Sequence, residues 1–246
     1  MATAQTVTRP RWPAEHLFFG AMSLAVLASV CLGFARSFLL RPLFPALKVP
    51  TEPFYALHGT VFLSWFVLLV IQIVLIARGK APLHRSLGVL GGVLATVMVI
   101  VGLTGAVIAA RRPGGFIGIS IPPLQFMAVP FFDMVIFSSL IGAALVLRRD
   151  SQAHKRLMLI GSISIITAAI ARWPFGVLAA GPPVFFGLTD LFVVPLVVWD
   201  LTTRRRLHPA TLWGGVALVV SQALRLLVSG TDAWLAFARW LTALPG

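Results

Sequence analysis

An all-α, multi-pass bundle of about seven transmembrane helices is the fold the sequence predicts, and three observations carry that prediction. Hydrophobic residues make up 59% of the 246 and charged residues only 11%, against roughly 25% charged in a soluble domain. The charges gather in short clusters and leave long uncharged runs between them. A helix needs about 20 apolar residues to cross the hydrocarbon layer. Seven runs reach or approach that length, at about 17–35, 55–77, 85–110, 124–147, 155–178, 184–201 and 210–229. Backbone polar groups in lipid must be satisfied inside the segment, so helix is the spanning structure these lengths allow.

Residues 1–16 read as a short cytoplasmic segment, 17–229 as the transmembrane domain and 230–246 as an amphipathic tail. The first run is longer than the 7–15 apolar residues of a signal-peptide core, so it is expected to be retained. It holds Cys31, the one cysteine of the chain, which excludes an intrachain disulfide framework and a clustered thiolate metal site. The second span opens at His58, and helical spacing puts Phe62, Trp65, Leu69 and Gln72 on nearly the same face. The third opens on "PLHRSLGVLGG" (82–92), and the fifth on "QAHKRLMLIGS" (152–162). The breaks around the fourth and sixth spans are rich in proline and glycine: "RRPGG", "SIPPL" and "AAGPPV". In the tail, Trp234, Phe237 and Trp240 recur at helical spacing, as in a helix lying at an interface. No loop is long enough for a soluble catalytic domain, and neither an internal repeat nor a pair of interrupted spans is evident.

The basic residues set the expected orientation. With the N-terminus inside, twelve Lys and Arg fall on the cytoplasmic side (Arg9, Arg11, Arg78, Lys80, Arg85, Arg148, Arg149, Lys155, Arg156 and Arg204 to Arg206). Six fall outside (Arg36, Arg41, Lys48, Arg111, Arg112 and Arg239). The excess favours N-in and C-out and implies the bacterial cytoplasmic (inner) membrane. It also accounts for the +13 formal charge without nucleic acid, for which no binding module is present. The expected partners are membrane lipids, with anionic headgroups at the basic face, and a membrane protein complex.

Two groups of residues could carry chemistry. Asp133, Arg172, Asp190 and Arg225 lie within the predicted spans, where ionisable groups usually face the bundle interior and pair. Two acids match two bases, so one reading is two structural ion pairs. The other is a polar cavity open to the outer face, with Asp133 as a proton acceptor and His58 at similar depth. At the inner border His84 and His154, with His16 and His208 nearby, stand at helix beginnings beside Arg85, Lys155 and Arg156. Helix N-termini and cations favour an anion there, so a phospholipid phosphate is one ligand. Haem b is the sharper one, because imidazole is a standard axial ligand and a basic rim suits propionates. Zinc would need three or four close ligands. Hydrolase, ATPase and dinucleotide motifs are lacking.

The ordered set His58-Gly59, "LHRSLG" (83–88), "AHKRLM" (153–158) and Arg172 resembles a family of bacterial multi-pass membrane proteins of unknown function. Its pattern is His, then HRxLG, then HxRxM, then Arg. The "HKRLM" element is similar to a small membrane family associated with haem–copper oxidase maturation. The resemblance covers about residues 55–175 and implies that His58, His84, Arg85, His154 and Arg172 are the binding residues. Three readings stand at this point: a haem- or copper-associated protein of electron transfer or oxidase assembly, a transporter with an outer polar site, and a non-catalytic subunit of a membrane complex.

Overall fold

The computed structural model describes residues 13–47 and 52–244; most of the expected segment 1–16 lies outside these, as does Lys48. Among the described residues there are only helices and loops. Seven helical stretches are long and apolar enough to cross a membrane: Ala14–Leu39, Pro53–Ala77, Ala81–Arg111, Pro123–Val146, Ser151–Ile170, Pro182–Arg204 and Pro209–Ser229. We number the helical pieces α1 (Ala14–Phe34), α2 (Pro53–Ala77), α3 (Ala81–Arg111), α4 (Pro123–Phe126), α5 (Ala128–Val146), α6 (Ser151–Ser164), α7 (Thr167–Ile170), α8 (Pro182–Asp190), α9 (Val194–Arg204), α10 (Pro209–Ser229) and α11 (Asp232–Ala243). The expected tail helix is α11.

Local chemistry explains most beginnings. Proline stands in the first turn of α2, α3, α4, α8, α9 and α10, where its missing N–H is not needed. Asp150 caps α6 by accepting from Gln152 N and Ala153 N, at 2.9 and 3.1 Å. Several helices begin three or four residues before the apolar runs do, because hydropathy marks only the lipid-facing stretch while the helix continues into its polar ends.

The fifth span departs further. It ends at Ile170 rather than about 178, because the chain turns at Trp173-Pro174, where a residue before proline is disfavoured in helix. Arg172 therefore lies two residues beyond the helix instead of inside it.

The fifth and sixth spans are also interrupted, against expectation. Pro195, within the first turn of α9, cannot donate to the Leu191 carbonyl and would clash with it. The chain passes Leu191–Val193 in tighter turns, Phe192 N to Thr189 O (3.0 Å) and Val193 N to Asp190 O (2.8 Å). In the fifth span Ser164 Oγ donates to Gly161 O at 2.7 Å, a back-bond that bends helices. Ile166 N then reaches Ile163 O at 3.1 Å. The two breaks meet through Thr167 Oγ1 and Thr189 Oγ1, 3.2 Å apart.

The least apolar span, α6–α7, is the centre of the bundle. Its core stretch is 78% buried against 22–44% for the others, with α1, α5 and α10 around it. The α2–α3 hairpin leans on α1 and α5. Gly33 allows α1 to touch α7, since a Cβ there would run into the Ala169 carbonyl. Outside, the helices present large apolar side chains such as Val89, Val146 and Leu227, at 72, 78 and 74% exposure. A water-soluble monomer rarely tolerates so continuous an apolar exterior.

Candidate functional site

At the basic end of the bundle, His84 on α3 and His154 on α6 face each other. Their ring centroids are 6.4 Å apart and the ring planes nearly perpendicular, at 88°. His154 Nδ1 bonds the Ala144 carbonyl of α5 at 2.8 Å. The buried His84 Nδ1 has no hydrogen-bond partner among the described residues, although the Gln72 backbone of α2 is close to the ring. Among the described residues neither Nε2 has a hydrogen-bond partner. In His154 the nitrogen held by backbone orients the ring and leaves Nε2 free for a ligand.

Residues missing from the sequence reading shape this site. Gly88 and Gly92 follow His84 by one and two helical turns, so they share its face. A Cβ at Gly88 would meet only Gln72 Nε2, at 3.9 Å, and one at Gly92 nothing within 4 Å. The groove above His84 is therefore open. The spacing His-x3-Gly-x3-Gly in "HRSLGVLGG" was the available signal. Arg85 is exposed at the rim, bonding only its own helix at Ala81 O (3.4 Å). Among the described residues no three or more His, Cys, Asp or Glu are grouped to hold a bare metal ion.

A second unforeseen feature fixes His154. Arg156, two residues along α6, is fully buried against the equally buried Asp200 of α9. Arg156 Nε donates to Asp200 at 3.1 Å and Nη1 to Gln152 O at 3.0 Å. Asp200 also accepts from His208 N (3.0 Å) and Thr211 Oγ1 (2.6 Å). Arg156 stands among the loop-type cations of a border cluster in sequence, and nothing there sets it apart. Lys155 beside it pairs with Glu15 of α1, which also accepts from Gln152 at 3.2 Å.

The four charged residues of the spans form one ion pair rather than two. Asp133 of α5 pairs with Arg225 of α10, both buried, and Arg225 also donates to Val129 O at 3.3 Å. Asp190, at the end of α8, accepts instead from Gln222 at 2.9 Å. Gln222 and Arg225 share a face of α10, so these residues make a continuous set. Arg172 stands apart from it, because the helix end carries it away: its guanidinium rests on the Phe34 ring, 5.3 Å being the separation in the comparable Arg225–Phe186 contact and 5.2 Å here.

His58 lies at the opposite end from the histidine pair, stacked on Phe62 at 4.3 Å. Its buried Nδ1 faces α3, where a Cβ on Gly105 would stand 3.4 Å away and the Val101 carbonyl is close. The five residues assigned to one binding set thus divide between two ends, His84, His154 and Arg85 at one and His58 and Arg172 at the other. Compared with known proteins, the chain matches no protein family, no curated protein and no solved structure.

Proposed function

We propose that this is a multi-pass protein of the bacterial inner membrane that holds haem b between His84 and His154 at its cytoplasmic end, in electron transfer or respiratory oxidase assembly. The apposition of the two rings carries the reading. Two imidazoles on facing helices, each with an Nε2 that has no partner among the described residues, could hold the iron of a haem. Their ring centroids are 6.4 Å apart. Gly88 and Gly92 leave the adjoining helix face free for a flat macrocycle, and Arg85 with its basic neighbours suits propionates. Haem would supply one-electron redox chemistry. His154 is oriented for it by Ala144, and the Arg156–Asp200 clamp sets the rotation of α6. The same basic rim is suited to anionic lipid headgroups, consistent with a cytoplasmic placement.

Absorbance of the purified protein, from cells supplied with haem precursor, tests this. A Soret band is expected, lost in His84→Ala and His154→Ala and kept in His58→Ala. A colourless protein free of haem would sink the reading, and stoichiometric copper on the same histidines would replace haem with copper.

The interrupted fifth and sixth spans favour a second reading, a transporter. Helix breaks that meet at depth line substrate sites in transporters, and Asp190 beside the break has an amide rather than a cation as its partner. Asp190, not the paired Asp133, is then the proton-carrying group. Flux through reconstituted vesicles unchanged by Asp190→Asn would count against it.

A further inference from the structure

The end opposite the histidine pair carries a second, separate set of unfilled groups. Arg172 donates to Ala168 O at 2.7 Å and lies over the Phe34 ring. Among the described residues it has no carboxylate partner, unlike the buried Arg156 and Arg225. Its side chain is exposed. A path of side chains leads from it to His58. Phe34 ends α1, a wide π-helical turn (Ala35–Leu39) follows, and Phe38 in that turn packs on Gly59, next to His58. The charge of Arg172 is felt at the His58 ring. With Nδ1 turned to α3, His58 presents Nε2, which has no partner among the described residues.

We propose that His58 and Arg172 bind the head of a quinone or quinol entering from the membrane. The chemistry of the set selects that class. One guanidinium donates to a carbonyl or phenolate oxygen. The imidazole Nε2 accepts from a quinol hydroxyl or, with Nδ1 itself unbonded among the described residues, carries the proton and donates to a quinone carbonyl. The walls at Phe34, Phe38 and Phe62 are aromatic and suit a flat ring. A phosphate, by contrast, would need several donors converging on it, whereas Arg36 of the same turn lies over Phe44 and Arg112 is bonded to Tyr55. π-helical turns are frequent at functional sites, and this one brings Phe38 onto Gly59, beside His58. The inference does not depend on haem binding, because its residues lie at the other end of the bundle.

Titration calorimetry with a decyl-substituted benzoquinone, on protein purified in dodecyl maltoside, tests it. Saturable binding is expected, weakened at least tenfold in His58→Leu and in Arg172→Leu and partly kept in Arg172→Lys. His84→Ala should lose haem and keep the quinone, so the two readings fail separately. The proposal is overturned if wild type shows no saturable binding, or if binding survives undiminished in both leucine variants. It is also overturned if inorganic phosphate binds these residues and the quinone does not. Variants are compared only when they elute as a single species with unchanged helical circular dichroism.

Discussion

Replacing Asp200 by Ala should be among the most damaging single changes in this chain. The substitution leaves Arg156, which has essentially no exposed surface, as an uncompensated buried charge. Breaking a buried pair in this way costs about 3–5 kcal/mol. Nη1 of Arg156 would keep Gln152, but Nε and Nη2 would lose their acceptor. His208 N and Thr211 Oγ1 would lose theirs too, and a buried donor left unsatisfied costs about 1–3 kcal/mol. These losses overlap, so the expected total is about 4–5 kcal/mol. Reversible unfolding by SDS titration in mixed micelles, followed by circular dichroism, measures it. A companion variant, Arg156→Met with Asp200→Leu and Thr211→Val, removes the charges and the hydroxyl together and should recover more than half of the loss. A cost under about 1 kcal/mol for Asp200→Ala would show that the pair is hydrated or dispensable, and the account of how α6 is held would fail. His154 rides on the same helix, so the variant should also broaden any haem spectrum.

Ser162→Ala strands the buried Trp65 indole N–H, now bonded to Ser162 Oγ at 3.0 Å. Unfolding titration should register a loss of about 1–3 kcal/mol, mostly recovered by adding Trp65→Phe. Gly33→Ala pushes α1 off the Ala169 carbonyl and should lower stability by about 1–3 kcal/mol, whereas Gly20→Ala, with open space around it, should be neutral on the same assay. In a Cys31→Ser background, Ser151→Cys should label with an impermeant maleimide from the cytoplasmic side only and Gly114→Cys from the outside only; the reverse pattern would invert the orientation. His208 lies between two spans, and burial, then the Arg156 and Arg204 charges, hold its pKa below the usual histidine value. The unfolded chain therefore takes up the proton first, so stability is full above about pH 6.5 and falls as pH drops through the lowered value. Protonation also removes the Nδ1 acceptor that caps α10 at Ala210 N, 3.1 Å away. His208→Asn, which keeps a cap, should flatten that part of the pH profile.

The seven spans were legible because each needs an apolar run of fixed length, and that requirement is written directly into composition. The helix ends were less so, since Ser151–His154 is helical but polar, and Ala81–Leu83 is cut off from its apolar run by His84 and Arg85. The proximity of His84 and His154 follows from an even number of crossings between them, which returns the chain to the same end. Their facing each other does not, because it depends on the rotation of α6, set by Asp200 from a distant segment. That buried acids and bases of the spans would pair could be read from sign, but not that Arg225 takes Asp133 while Asp190 takes Gln222. Arg172 could not be placed, because its position depends on where a helix yields to Pro174. The interruptions at Ile165 and Leu191 are equally local. Pro195 signals one of them, while the other arises from a serine back-bond that composition does not reveal.

The long-range ion pairs have a consequence for how the protein is made. Asp133 leaves the ribosome 92 residues ahead of Arg225, and Arg156 leaves 44 ahead of Asp200. At synthesis rates of about 5–20 residues per second, these delays are roughly 5–18 s and 2–9 s. During those intervals an acid and a base that end up sealed in the interior have no counter-ion of their own. Chains halted before residue 225 would keep a stranded carboxylate in the membrane, a mark by which quality-control proteases can tell an unfinished bundle from a complete one.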